Sequence, residues 1–368
     1  MTSVAFHVDQ LFAPAPGGIG TYIRELVPHL AKEAEVTLFH ARFDGEPLDD
    51  LLHRLPRHAL AQTTRWLYPT WDLLGRPPLP EELRRHDVVH APNPVAIPPP
   101  GPGQKLVVTV HDLAFRPYPR LFPPRWLALY RLGTRRAARR AGAILTPSVS
   151  TARDLVRHEK ADRERVHVVP LAASLPQGRT DPEQTLRRLK VREPYVLFVG
   201  TLEPRKNLLR LVRAYRHAVA HGGFPHQLVL AGPLGWQPDP LLREIRLAGP
   251  GEIVMTGTAG AADLDALYRG ASLFVYPSLY EGFGLPILEA MARGVPTITS
   301  TVSSMPEVAG DAALQVDPRS IEGIASAIEL LLSDMNEAER LARAGLARSE
   351  TFTWERTAER TLEIYRSL

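Results

Sequence analysis

The chain has 368 residues, of which 44% are hydrophobic and 23% charged, with a formal net charge of +4; a single core rarely grows past ~250–300 residues, so two domains are expected. It contains no cysteine, which excludes a disulfide framework and a thiolate metal site. It has no apolar run of the ~18 residues that would cross a membrane, and its start, MTSVAFHVDQLF, lacks the basic region and cleavage site of a signal peptide. A cytoplasmic protein is expected.

The first half alternates strand and helix patterns. SVAFHVDQ reads as a strand, LFAPAPGGIG as a loop and TYIRELVPHLAKE as an amphipathic helix containing a proline. EVTLFHA, HDVVHAPN, KLVVTVHDLAF, AGAILTPS and RVHVVPLA read as further strands. A segment without clear period, ASLPQGRTDPEQTLRRLKVRE, separates this series from a second one. The second series has strands in PYVLFVGT, HQLVLAG, EIVMTGT, SLFVYPS, VPTITS and AALQVDP. Between them lie the helical patterns NLLRLVRAYRHAVAHG, DPLLREIRLAG, ADLDALYRGA, PILEAMARG and SIEGIASAIELLLSD. Strand and helix in alternation predict parallel, doubly wound sheets, here two Rossmann-like α/β domains facing a cleft. The predicted boundaries are 1–172, 173–350 and a closing segment 351–368.

Unusual residues collect in loops after strands. PGGIGTY opens a helix and lets backbone N–H groups approach an anion or a sugar; its spacing is not that of a dinucleotide fingerprint. His111 and Asp112 stand just past a strand in VHDLAF. Arg205 and Lys206 stand beside a helix start in GTLEPRKNLLRLV, where two cations are unfavourable unless an anion joins them, and a diphosphate suits both. Glu281 and Glu289 flank the uncharged GFGLPIL within YEGFGLPILEAM, which reads as loop, Gly-containing turn and helix start with Pro286 in its first turn. Asp263 and Asp265 form a D-x-D of the kind metal-dependent enzymes use, but they sit at helical spacing in AADLDALYRGA and read as first-turn partners of a helix dipole.

Charge is uneven. Residues 1–172 hold 23 Lys+Arg against 17 Asp+Glu, net +6, whereas residues 173–368 hold 21 against 23, net −2. Arg116, Arg120, Arg125, Arg131, Arg135, Arg136, Arg139 and Arg140 fall in a stretch without an acid, interleaved with Phe115, Phe122, Trp126 and Tyr130. This is either a solvated helix face or a surface for an anionic partner such as a membrane or a phosphate-bearing acceptor. Neither paired Cys/His nor an RNP-like sequence is present, so no nucleic-acid partner is expected.

GGIGTY, HDL, GTLEPRKNLLRLVRAY, YEGFGLPILEAMARGVPTITS and SSMPEVAGDAA, in this order, resemble the retaining GT-B-fold glycosyltransferases with an E-x7-E motif. HDLAFRPYPRLFPP is similar to the mannosyltransferase-like branch that builds surface or lipid-linked glycans. The resemblance implies an acceptor-binding N-terminal domain, a C-terminal domain for a nucleotide-sugar donor, and a last helix, in FTWERTAERTLEIYRSL, crossing back onto the N-terminal domain. It implies that Glu281 contacts donor-sugar hydroxyls, that Glu289 binds the nucleotide ribose, and that Arg205 and Lys206 neutralise the diphosphate. Backbone groups of Phe283, Gly284 and Leu285 would meet sugar and phosphate, Gly18 would approach the phosphates, and His111 would lie near the reacting sugar. Met255 and Thr256, in the loop expected after EIVMTG, would select the base. No metal and no further cofactor is implied. The implied reaction transfers a hexose, mannose from GDP-mannose, to a glycan or lipid-linked acceptor; the Arg-rich stretch, apart from the resemblance, suggests a peripheral position on the inner face of the cell membrane. UDP-glucose or UDP-N-acetylhexosamine donors, a nucleotide-sugar epimerase and a non-catalytic sugar-nucleotide sensor remain as alternatives.

Overall fold

A computed structural model describes residues 1–13, 16–44, 49–174 and 181–368. The chain divides into two compact units, one of residues 1–171 with 353–368 and the other of residues 172–352. The expected loop LFAPAPGGIG and the irregular connection after residue 172 each lie partly outside the described residues.

The first unit is built on seven parallel strands: β1 (Ser3–His7), β2 (Glu35–His40), β3 (Arg57–Ala59), β4 (Val88–Ala91), β5 (Lys105–Thr109), β6 (Ala143–Thr146) and β7 (Val166–Val168). Their order is β3-β2-β1-β4-β5-β6-β7. Strands β4 and β6 are buried on both faces, which is why they read as apolar runs rather than as alternations. The edge strand β3 has only three residues and carries no such run, so the sequence pattern does not reveal it.

The last helix, Trp354–Ser367, belongs to this unit and packs on the helix Gly17–Leu30. Polar contacts fix it. Thr357 donates to the carbonyl of Pro170, and Tyr365 meets His90 Nδ1 in the core. His90 Nε2 in turn meets Thr109 at 2.7 Å, and Thr109 meets the hydroxyl of Tyr22 at 3.0 Å. His90, Thr109, Tyr22 and Tyr365 thus satisfy one another, which keeps their burial from being costly.

The Arg-rich stretch forms the helix Pro124–Arg140. It is not a uniformly solvated face. Arg136 is buried, with its guanidinium 3.6 Å from buried Asp72, and Arg116 pairs with Glu159 on the neighbouring helix. Arg125, Arg135, Arg139, Arg140 and Trp126 stay exposed.

The second unit has six parallel strands: β8 (Tyr195–Val199), β9 (Gln227–Ala231), β10 (Ile253–Gly257), β11 (Leu273–Tyr276), β12 (Thr297–Ser300) and β13 (Leu314–Val316). Their order is β10-β9-β8-β11-β12-β13, so the winding reverses between β8 and β11. All five residues of β8 are buried, and burying each large apolar side chain contributes ~1.5–3 kcal/mol. Where β8 and β9 end, the backbones converge. A Cβ on Gly232 would lie 2.1 Å from the carbonyl oxygen of Gly200, so only glycine fits there. One expectation is corrected upstream: residues 182–189 of the segment without clear period are a helix. Asp181 caps it by accepting from the N–H groups of Glu183 and Gln184, and Pro182 takes its first position.

Candidate active site

The reversal of strand order between β8 and β11 is where α/β sheets of this kind usually bind ligands, beyond the carboxyl ends of the strands. Two segments leave the sheet at this point. After β8 the chain makes a short 3-10 turn, Pro204–Lys206, and enters the helix Leu208–Gly222 through Asn207. Asn207 adopts a left-handed conformation (φ 64°), which its short polar side chain tolerates, and its amide donates to the carbonyls of Pro277 and Pro318. After β11 the chain runs through Pro277 to Glu281 and enters the helix Leu285–Met291 through Gly284, at φ 111°. The amide of Leu279 donates to the carbonyl of Arg205 at 2.9 Å and so ties the two segments together.

Their side chains form one cluster of four charges. Arg205 donates to Glu281 Oε2 at 2.8 Å, to the carbonyl of Tyr280 at 2.8 Å and to Glu203 Oε1 at 2.7 Å. Lys206 Nζ donates to Glu281 Oε1 at 2.8 Å and to the hydroxyl of Tyr276, and lies 5.0 Å from the centre of that ring. Lys206 is 8% exposed, Glu281 6% and Glu203 5%. Burial alone would push the Glu281 carboxyl up, but Arg205 and Lys206 outweigh it and hold it down at about 2. Burial pulls the Lys206 amine down from its ordinary value, with Glu281 opposing. Two cations beside a helix start are thus neutralised by two carboxylates. Lys206 is thus a buried residue, not one on the surface.

The loop carrying Glu281 is held from below. Ser303 and Ser304, which follow β12, both donate to the carbonyl of Glu281, at 2.6 and 2.9 Å, and Ser304 also donates to the carbonyl of Phe283. Phe283 and Gly284 are buried and Leu285 is half-buried at the start of the helix. Glu289 lies further along this helix, half-buried, and its Oε2 accepts from Tyr268 at 2.9 Å. It takes no part in the ion cluster, so the two motif acids have distinct surroundings. Met255 and Thr256 are residues of strand β10 rather than of a loop after it; Met255 is 41% exposed.

The D-x-D acids do not form a chelating pair. Asp263 pairs with Arg188, while Asp265 is buried and accepts from Arg269 and Arg293, each at 2.8 Å. Asp265 is therefore an inward ion-pair acceptor and not a first-turn dipole partner. Residues of the site that the sequence did not single out are Glu203, Tyr276, Asn207, Ser303 and Ser304. Of these, Glu203 had a visible signal, an acid two positions before Arg205 in EPRK.

Gly18 and His111 lie in the first unit. Gly18 is exposed in the first turn of the helix Gly17–Leu30, within the helix rather than in a loop before it. His111 follows β5, and its Nε2 lies 2.9 Å from the carbonyl of Pro92. A carbonyl can only accept, so Nε2 carries the proton and Nδ1 the lone pair. Burial pushes this imidazole down to about 4, against Pro92 and Asp112, and it is neutral at pH 7.

Charge cluster, E-x7-E loop and doubly wound sheets together define a glycosyltransferase of the GT-B fold. Residues 16–175 match the family described as Glycosyltransferase Family 4, and residues 183–348 match Glycosyl transferases group 1. The chain is 31% identical to the O-antigen chain mannosyltransferase B of Escherichia coli, over 95% of this chain and 96% of that one. It is 32% identical to the serotype-specific mannosyltransferase WbdA of Escherichia coli over 74% of this chain, and spans about a third of that longer relative (35%). Among solved structures, Anabaena HepE in complex with UDP-glucose superposes with a TM-score of 0.77 at 19% identity, over 100% of both chains. The chain belongs to the Family 4, group 1 glycosyltransferases.

The neutral histidines give this protein an acid limit. Burial pushes His90 down to about 3 and His111 to about 4, from an ordinary value of 6.5. The unfolded chain therefore binds protons that the folded chain refuses. The stability they contribute is full above pH 6.5 and is lost as pH falls, by roughly 1.4 kcal/mol per pH unit for each imidazole, while the Asp72 carboxyl, pushed up to about 7 by burial, offsets one of the two. Glu281, depressed to about 2 from 4.5, contributes stability that is present above pH 4.5 and lost only below it. We expect denaturant unfolding at pH 7, 6 and 5 to show the first loss in the His window, and His111→Asn to flatten that slope. Stability constant between pH 7 and 5 would contradict this.

Proposed function

We propose that this glycosyltransferase moves mannose from GDP-mannose to a glycan or lipid-linked acceptor in surface polysaccharide synthesis, with retention at the anomeric carbon. The observation that carries the reading is the buried set Arg205, Lys206 and Glu281 at the strand-order reversal, with Glu289 on the helix that follows. The mannosyltransferases among its relatives support the choice of sugar.

Transfer breaks the bond between the anomeric carbon and a diphosphate oxygen. Negative charge grows on the leaving group, and fixed cations hold it more tightly in the transition state than in the ground state. Arg205 and Lys206 supply that charge. Their present partners, Glu203 and Glu281, already balance them, so an incoming diphosphate must take over from a carboxylate. Glu281 is released towards the sugar hydroxyls, which donate well to an ionised acid. Glu289 takes the ribose diol. In the retaining reaction the acceptor attacks from the face that the diphosphate leaves, and a leaving phosphate oxygen receives the acceptor proton. Neutral His111 then serves as a hydrogen-bond partner of the substrates through Nδ1 rather than as an obligate base. With Arg188, Arg269 and Arg293 holding the D-x-D acids, the transfer needs no divalent ion at that pair.

The first unit takes the acceptor, and its exposed arginines suit a lipid-linked one at an anionic membrane surface. Arg136 plays no part, because Asp72 holds it inside.

Two outcomes test these readings. With GDP-mannose and a mannosyl acceptor, Glu281→Gln should lower kcat by ~10²-fold, while Glu289→Gln should raise the donor KM by ~10-fold with a smaller loss in kcat. Turnover with UDP-glucose but not GDP-mannose would replace the donor; product formed from the donor alone would point to an epimerase; donor binding without turnover would leave a sensor. For the membrane, sedimentation with liposomes containing anionic lipid, absent with neutral ones and weakening with salt, is expected. Arg135, Arg139 and Arg140 replaced together by Gln should lower it by ~100-fold, at ~1 kcal/mol for each charge. Equal failure with both liposome types at low salt would assign these arginines to a soluble acceptor.

A further inference from the structure

Away from the charge cluster, two helices of the second unit bring together three metal-ligating side chains. His217 and His221 stand four residues apart on the helix Leu208–Gly222, and Glu329 stands on the helix Ile321–Ser333. These helices pack against each other more extensively than any other pair of elements among the described residues. One ligand atom from each of the three residues lies within 4.8 Å of the others, the one such group among the described residues.

The three donor groups leave room for a cation between them. His217 Nδ1 lies 3.8 Å from Glu329 Oε1, too long for a hydrogen bond. The two imidazoles stack with centres 4.1 Å apart and planes inclined by 19°, so one ring must turn for both in-plane lone pairs to meet on one ion. His221 Nδ1 lies 2.8 Å from the carbonyl of His217, which can only accept. This proton position fixes the tautomer and leaves Nε2 of His221 as the free lone pair, the outer-shell arrangement that ligating histidines use. Bonds of about 2.0–2.2 Å to zinc place donor atoms ~3–3.5 Å apart. From separations of up to 4.8 Å the groups need to close by up to roughly 1.5 Å, and with side chains 47% (His217) and 34% (Glu329) exposed they have room to turn. The chain has no cysteine, so imidazole and carboxylate are the groups it can offer a borderline metal.

We propose that His217, His221 and Glu329 bind one divalent cation of the zinc type, with water completing a four-coordinate shell. Two histidines at i, i+4 on one helix face with a third ligand from elsewhere is a sound scaffold for this ion. The site would brace the helix that begins at Asn207, directly after Lys206, against the helix that follows Pro318. Asn207 already donates to the carbonyl of Pro318, so hydrogen bond and metal would join the same two segments at both ends. This inference does not depend on the donor or acceptor.

The test uses the full chain, stripped with a chelator and titrated with zinc chloride. Calorimetry should give one zinc per chain, and the melting temperature should rise by ~5 °C or more once zinc is a hundredfold above its Kd. His221→Gln and Glu329→Gln should each weaken binding at least tenfold while leaving the metal-free melting temperature near that of the parent. Zinc bound with the same stoichiometry and affinity when His217 and His221 are both replaced by Gln would overturn the proposal. So would the lack of any saturable binding by the parent chain.

Discussion

The second unit turns on one interaction: two cations, Arg205 and Lys206, share the carboxylate of Glu281 at the end of the sheet. Isolated, each of these charges would be costly to bury; together they satisfy each other's hydrogen bonds, and Glu203 takes the remaining face of Arg205. A pair of this kind is weak support for stability, since well-packed apolar groups would serve as well or better. The cluster sits where strand order reverses, and the rest of the unit acts to hold it there.

The holding is specific. Asn207 gives the turn its left-handed exit and anchors it to the segments after β11 and β13 through two carbonyls. Ser303 and Ser304 fix the loop of Glu281 by its backbone and leave the carboxylate to the cations. The cations are thus pre-organised, while the carboxylate they share, Glu281, is one side chain on a short loop. Under the proposed function, that division would let a substrate anion displace a carboxylate without moving the sheet. On the proposed reading it also gives Glu281 a place in both arrangements, first as partner of the cations and then as acceptor for sugar hydroxyls.

The sheets were legible because parallel strands buried on both faces leave continuous apolar runs. β8 and β11 could be read from the apolar runs YVLFV and LFVY, and β12 from the β-branched residues of TITS. What could not be read is of two kinds. Elements without an apolar run are silent, as in the three-residue edge strand β3 and the short helix that Asp181 caps. Partners chosen by tertiary packing are silent too. EPRK and YEG stand about 75 residues apart, and nothing local shows that Glu281 meets Lys206. The same holds for Asp265 turning inward to Arg293 and for Arg136 turning inward to Asp72. In each case an arginine or an acid that looked like surface found its charge partner inside.

The central claim is that Arg205 and Lys206 form a diphosphate cradle whose occupant, between turnovers, is the carboxylate of Glu281. Calorimetric titration of GDP into the parent chain, Glu281→Gln and Lys206→Met tests it most directly. Removing the competing charge should tighten GDP binding in Glu281→Gln by ~10-fold, about 1.4 kcal/mol, and removing the cation should weaken it by at least as much in Lys206→Met. GDP binding that is weaker in Glu281→Gln than in the parent, or unchanged in Lys206→Met, would contradict the account.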